Sequence, residues 1–228
     1  MLVIVAAFAV VTLILTAFGS SGGQPTSFPA TTVVATGSTP RPEPVATVSN
    51  LSIRLPVAQN AVTAIGFHGS TTGGLALKPL GRQINEGLLA RLWHTISGSS
   101  KQARAWYQLG GGTGPGTAVL DVGAAPDTDV YAPVDGTVAS ISPTIINGAQ
   151  HGARIDIRPS SVPSVIVSVS HVQPEPTLAV GSVLNADSSK IGVVDDVAVV
   201  ERQSLARHTN DSGDNVAIEV HPAPTSQP

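Results

Sequence analysis

The chain has 228 residues, 42% hydrophobic, 12% charged and 4% aromatic, which leaves room for one or two domains. Net charge is −3 with no block of Lys or Arg, so the clustered positive charge that nucleic acid demands is missing. No cysteine is present, which excludes thiolate metal sites, disulfide scaffolds, thiol catalysis and a lipid anchor on Cys.

Residues 1–18 carry no charge and would reach roughly 27 Å as a helix, just short of a bilayer's apolar core. They read as a signal peptide ending at the small-x-small triplet Ala17-Phe18-Gly19, or as an uncleaved membrane anchor. Residues 19–50 form the next segment, in which 20 of 32 are Gly, Ser, Thr or Pro. This composition predicts a disordered, semi-extended linker. An apolar export segment followed by such a spacer implies an extracytoplasmic location, with the membrane touched through residues 1–18 alone.

Folded sequence begins at Leu51, where Leu51, Ile53 and Leu55 alternate with polar residues as in a half-buried strand. Residues 51–105 read as an accessory region containing an amphipathic helix over 82–97, with Ile84, Leu88, Leu92, Trp93 and Ile96 at near-3.6 spacing. Gly110–Gly116 matches neither the dinucleotide nor the P-loop pattern and reads as a bordering loop. From Ala118 the pattern is β, in Val/Ile-rich runs over 118–122, 130–132, 136–141, 153–157, 165–170, 191–194 and 215–220. Asp135-Gly136 has hairpin character, and Val197–Arg207 reads as a helix opened by Asp195 and Asp196. Residues 223–228 are a tail.

Within 106–222 the segment Leu120-Asp-Val-Gly-Ala-Ala-Pro-Asp-Thr-Asp-Val-Tyr-Ala-Pro-Val-Asp-Gly-Thr-Val138 contains a V-x-A-P-x-x-G-x-V strand preceded by an aspartate. Three further blocks follow in order: Val167–Val172 ending in His171, Val180–Val183 with Ile191-Gly192, and Asn215–Val220. Together they resemble the lysostaphin/LytM-type zinc endopeptidases. The resemblance implies a mainly β, duplicated-hybrid-motif sandwich or barrel-like domain with one or two accessory helices. In that family zinc is held by a His four residues before an Asp, by that Asp, and by the second His of an H-x-H strand. The open fourth position takes a water that attacks a peptidoglycan cross-bridge. A His ending the middle strand and the first His of H-x-H stabilise the oxyanion.

Asp121 stands at the ligand Asp and His171 at the middle-strand His. Thr117 replaces the first ligand, Asn215 the first His of H-x-H, and Ala217 the last ligand. Alanine offers no donor and a neutral hydroxyl is a poor partner beside imidazole, so the inherited zinc set is broken. His208, in a loop before the last strand, is the alternative ligand that would restore it. His221 shares the face of Ala217 but lies about 13 Å further along an extended strand. His68 and His151 sit beside glycines and read as exposed loop residues, His94 as a solvent-edge helix residue and Glu219 as a structural acid.

These residues imply an exported, noncatalytic domain that binds peptidoglycan or a cell-wall protein as regulator or scaffold, with no cofactor. The alternative is an active zinc endopeptidase with rearranged ligands built on Asp121, His171 and His208. A lipoyl-type carrier, suggested by Ala132–Gly136, would need Lys190 in a modified motif that is absent. A serine hydrolase lacks its G-x-S-x-G elbow.

Overall fold

Strand-forming residues dominate the ordered chain because Val and Ile pack well on a pleated surface. A computed structural model describes residues 40–85 and 104–224, and the protein is mainly β. The expected export segment and most of the expected 82–97 helix lie outside the described residues.

Three strands make a small sheet in the order β2-β1-β4: β1 (Pro44–Val48), β2 (Leu51–Arg54) and β4 (Lys78–Pro79). The larger sheet is built on β3 (Ile65–His68), β7 (Val119–Gly123), β14 (Asn215–Pro222), β11 (Val165–Pro174), β10 (Ala149–Pro159) and β9 (Gly136–Ile146), adjacent in that order. β12 (Val183–Leu184) extends it beyond β9. At the other edge β6 (Ala105–Gln108) and β5 (Arg82–Gln83) add parallel pairs. β13 (Lys190–Val194) joins β11 to β8 (Asp129–Tyr131).

All seven runs expected after Ala118 are strands, and their period-two alternation decides which face is core. Phe67, Leu120, Val122, Ile155, Val167, Val169, Val216, Ile218 and Val220 are buried on one face of the large sheet. They form one apolar cluster with Ile53, Leu55 and Val57 from β2 and its exit, and with Val130 and Ile191 from β8 and β13.

Four expectations are corrected. The linker expected over residues 19–50 ends earlier, since β1 begins at Pro44 and Ala46 is fully buried; the small sheet recruits a segment whose composition reads as spacer. Arg82–Gln83, the start of the expected helix, is a strand on β6. Val197–Arg207 is two short 3-10 turns, Val197–Val199 and Ser204–Arg207. Asp135-Gly136 does not close a hairpin, since β8 pairs with β13 and β9 with β10 and β12. The tight hairpin falls at Asn147-Gly148, both at positive φ (51° and 81°), as a primed two-residue turn requires.

The region expected to be accessory contributes to the large sheet directly. β3 pairs antiparallel with β7, setting Gly66 opposite Asp121 and His68 opposite Val119.

Candidate functional site

The face of the large sheet opposite the core is polar. Across it runs one register row of His68, Val119, Glu219, Ser168, Asp156 and Ser140, and beside it a second of Gly66, Asp121, Ala217 and Ser170. Small side chains in the second row leave depth, and a cleft of about 360 Å³ opens above Asp121, Ala217 and Ser170. Its walls come from the Thr71–Thr72 loop, Arg154 on β10 and the Glu201–Ser204 segment.

The last wall is held by glycines. Leu205 is fully buried on this face with Ala64 and Leu109. A Cβ on Gly123 would stand 2.7 Å from its Cδ2, and one on Gly66 would stand 3.0 Å from its Cδ1. Glycine at both places allows this segment to lie flat on the sheet.

Asp121 is buried and faces the cleft beside His68, whose Nε2 is 3.3 Å from Asp121 Oδ2. His68 Nδ1–H donates to Gly69 O at 2.7 Å. With one ring nitrogen already a donor, a proton on the other makes an imidazolium facing a carboxylate. The Asp121 carboxylate accordingly raises the His68 pKa above its ordinary value, against the opposing effect of burial, with smaller help from Gly69 O and Glu219. His68, expected in an exposed loop, instead ends β3 and is half-buried. The signal that could have found it is the short alternation Ile65-Gly-Phe67-His, which sends Ile65 and Phe67 to the core and His68 to the opposite face. His151 likewise lies in β10 and not in a loop.

Of the other positions that the sequence resemblance singles out, Thr117 uses its hydroxyl as donor to Leu77 O at 2.7 Å. Ala217 is part of the cleft floor. His208 stacks on Tyr107, ring centroids 4.3 Å apart, and does not line the cleft. Among the described residues, the imidazole within ion-pair distance of the Asp121 carboxylate is that of His68. Among the described residues no three His, Asp or Glu side chains converge in a metal-ligand arrangement.

His171 sits where β11 changes partner: Val165–Ser170 pair with β14, while Val172–Pro174 pair with β13. Two residues, Ser170 and His171, lie between Val169 and Val172, against the single Arg154 between their partners Ile155 and Ala153. His171 absorbs this bulge at φ 62°, a left-handed conformation that costs a non-glycine residue about 1–3 kcal/mol. Bulges of this kind re-aim side chains next to functional sites, and His171 lines the cleft. Its Nδ1 meets Asn215 Oδ1 at 3.1 Å. Asn215 is buried and donates from Nδ2 to Gln203 Oε1 (3.1 Å) and Gly213 O (3.0 Å). No motif in the sequence pointed to Gln203.

Glu219 ties the loop wall to the floor. Thr72 Oγ1 donates to its Oε2 at 2.5 Å and Ser70 Oγ at 3.2 Å, and His221 Nε2 lies 2.9 Å from the same oxygen. Next in the row, Asp156 accepts from Arg154 Nε (2.8 Å), Ser140 Oγ (2.7 Å) and Ser168 Oγ (2.7 Å). Burial pushes the Asp156 pKa up, but these three hydrogen bonds and the Arg154 charge outweigh it and hold the carboxyl below its ordinary value.

No protein-family model matches this chain. A search of curated proteins returns no match either. The polar cleft and its two histidine pairs therefore stand on their own geometry.

Proposed function

We propose that the chain is an exported, noncatalytic domain of the LytM-like, duplicated-hybrid-motif kind, whose cleft binds peptidoglycan or a cell-wall protein partner. The observation that carries the reading is the surroundings of Asp121. At the three positions where the resembled family places the rest of its hydrolytic histidines stand a hydroxyl turned to the backbone (Thr117), a methyl group (Ala217) and an amide engaged by Gln203 and Gly213 (Asn215). A cleft remains over the sheet, lined by donors and acceptors of both charges, which suits a polar, extended ligand. Export rests on the composition of residues 1–50.

One observation favours the alternative of a rearranged zinc peptidase. The 3.3 Å between His68 Nε2 and Asp121 Oδ2 is close to the edge of a tetrahedron with bonds of about 2.0–2.1 Å. Such a site would rest on His68 rather than His208. Metal analysis of the purified full chain, with release of soluble fragments from peptidoglycan as the activity readout, separates the two. The binding reading expects neither stoichiometric zinc nor released fragments. About one zinc per chain, lost together with turnover in Asp121→Ala, would replace it with the enzyme.

A further inference from the structure

The hydrogen-bond chain behind His171 has one consistent direction, and that direction fixes what His171 offers the cleft. Gln203 Nε2 donates to Glu201 O at 2.9 Å, which orients the Gln203 amide and leaves its Oε1 as acceptor. Asn215 Nδ2 fills that acceptor and the carbonyl of Gly213. Turning the Asn215 amide over would set oxygen against oxygen at both contacts, so Oδ1 is the atom that meets His171. An acceptor at 3.1 Å from Nδ1 requires the proton to be on Nδ1. The neutral ring then carries its lone pair on Nε2.

We infer that Asn215 and Gln203 lock His171 in its Nδ1–H tautomer, so that Nε2 stands in the cleft as a hydrogen-bond acceptor for a backbone N–H of a bound peptide. Asn215 is thus a positioning residue and His171 a ligand-contacting one. The bulge supports the assignment, because the left-handed backbone at His171 is the feature that turns its ring to the cleft side. The cleft also presents Asp121 and Glu219, and the contacts of Glu219 gather on Oε2, so Oε1 is not engaged by them. These acceptors, among a lining that also brings donors, match the backbone N–H groups that an extended peptide presents at regular intervals. The choice of a peptide rests on the function proposed above; the tautomer does not.

Long-range ¹⁵N–¹H correlation on the full chain at about pH 8, where an ordinary imidazole is neutral, reads the tautomer without any ligand. His171 is expected to show a pyrrole-type Nδ1 and a pyridine-type Nε2. Asn215→Asp should retain that signature and Gln203→Ala should weaken it toward the mixture of tautomers seen in free imidazole. A protonated Nε2 in the wild type, or an unchanged signature in Gln203→Ala, overturns the inference. Access to Nε2 is checked by diethylpyrocarbonate mapping, where modification at His171 is expected and its absence also overturns it. With a synthetic peptidoglycan stem peptide as probe, binding should shift the His171 Nε2 resonance, and His171→Phe should weaken binding at least about tenfold. Binding with neither effect refutes the ligand contact. A locked tautomer in a protein that does not bind the peptide refutes the peptide ligand, turns the proposed function toward its protein partner and leaves the positioning of His171 by Asn215 intact.

Discussion

At the scale of single residues, the His68–Asp121 pair makes stability depend on pH. The folded pKa of His68 lies above its ordinary value near 6.5. The pair's contribution is therefore complete below that value and is lost as pH rises through the folded pKa. Melting curves across neutral to mildly alkaline pH should show wild type losing stability that His68→Gln never had, so the two converge as pH rises. Parallel curves would show that no proton is shared there. Asp156 works in the opposite direction. Its folded pKa is depressed, so its contribution is present above its ordinary value of 3.8 and is lost as pH falls through the folded value. Asp156→Asn should flatten the acid limb and leave the neutral range parallel to wild type. Asp121 and His171 stand out in the sequence through a resemblance alone, and both line the cleft. His68 was not, because its partner lies 53 positions away and only the β3–β7 register brings them together.

At the scale of elements, the β11 bulge sets function against stability. Replacing His171 by glycine removes the left-handed strain, and His171→Gly should raise the melting temperature or leave it unchanged while ligand binding is lost. A fall in melting temperature larger than the loss of the His171–Asn215 hydrogen bond explains, about 1–3 kcal/mol, would show that the ring is held for packing and not for a ligand. The wall formed by Glu201–Leu205 depends on glycine beneath it. In Gly123→Ala the new Cβ would lie 2.5 Å from Thr63 Oγ1 and 2.7 Å from Leu205 Cδ2. Overpacking of this kind costs about 1–3 kcal/mol, and chemical denaturation should report a loss of that order. Strands after Ala118 were readable because alternation directly encodes a two-faced sheet. Val197–Arg207 was not: its apolar spacing imitates a helix, whereas Gln203 and Leu205 are fixed by contacts with Asn215, Gly66 and Gly123.

For the whole molecule, the large sheet has a dry face and a wet one, and the two carry different burdens. Phe67 sits at 0% exposure in the dry face, edge-on to Trp106 with ring centroids 5.2 Å apart. Phe67→Ala should cost about 3–5 kcal/mol, as judged by denaturant midpoints, which puts the fold itself at risk. Substitutions on the wet face, at Ala217 or Ser170, should leave the fold standing and alter the cleft. The alternation of Leu51, Ile53 and Leu55 showed a strand, but the sequence pattern did not reveal that residues 44–68 complete this sheet and its cover, because their pairing with β7 and β4 is long-range. The central claim is that the cleft binds wall material without cutting it. Co-sedimentation of the full chain with purified peptidoglycan sacculi tests this most directly, comparing wild type with Ala217→Trp, which fills the cleft floor. Saturable pelleting of wild type, with Ala217→Trp left in the supernatant and the sacculi undigested, is the predicted result. Wild type that stays in solution, or Ala217→Trp that pellets equally well, would contradict it.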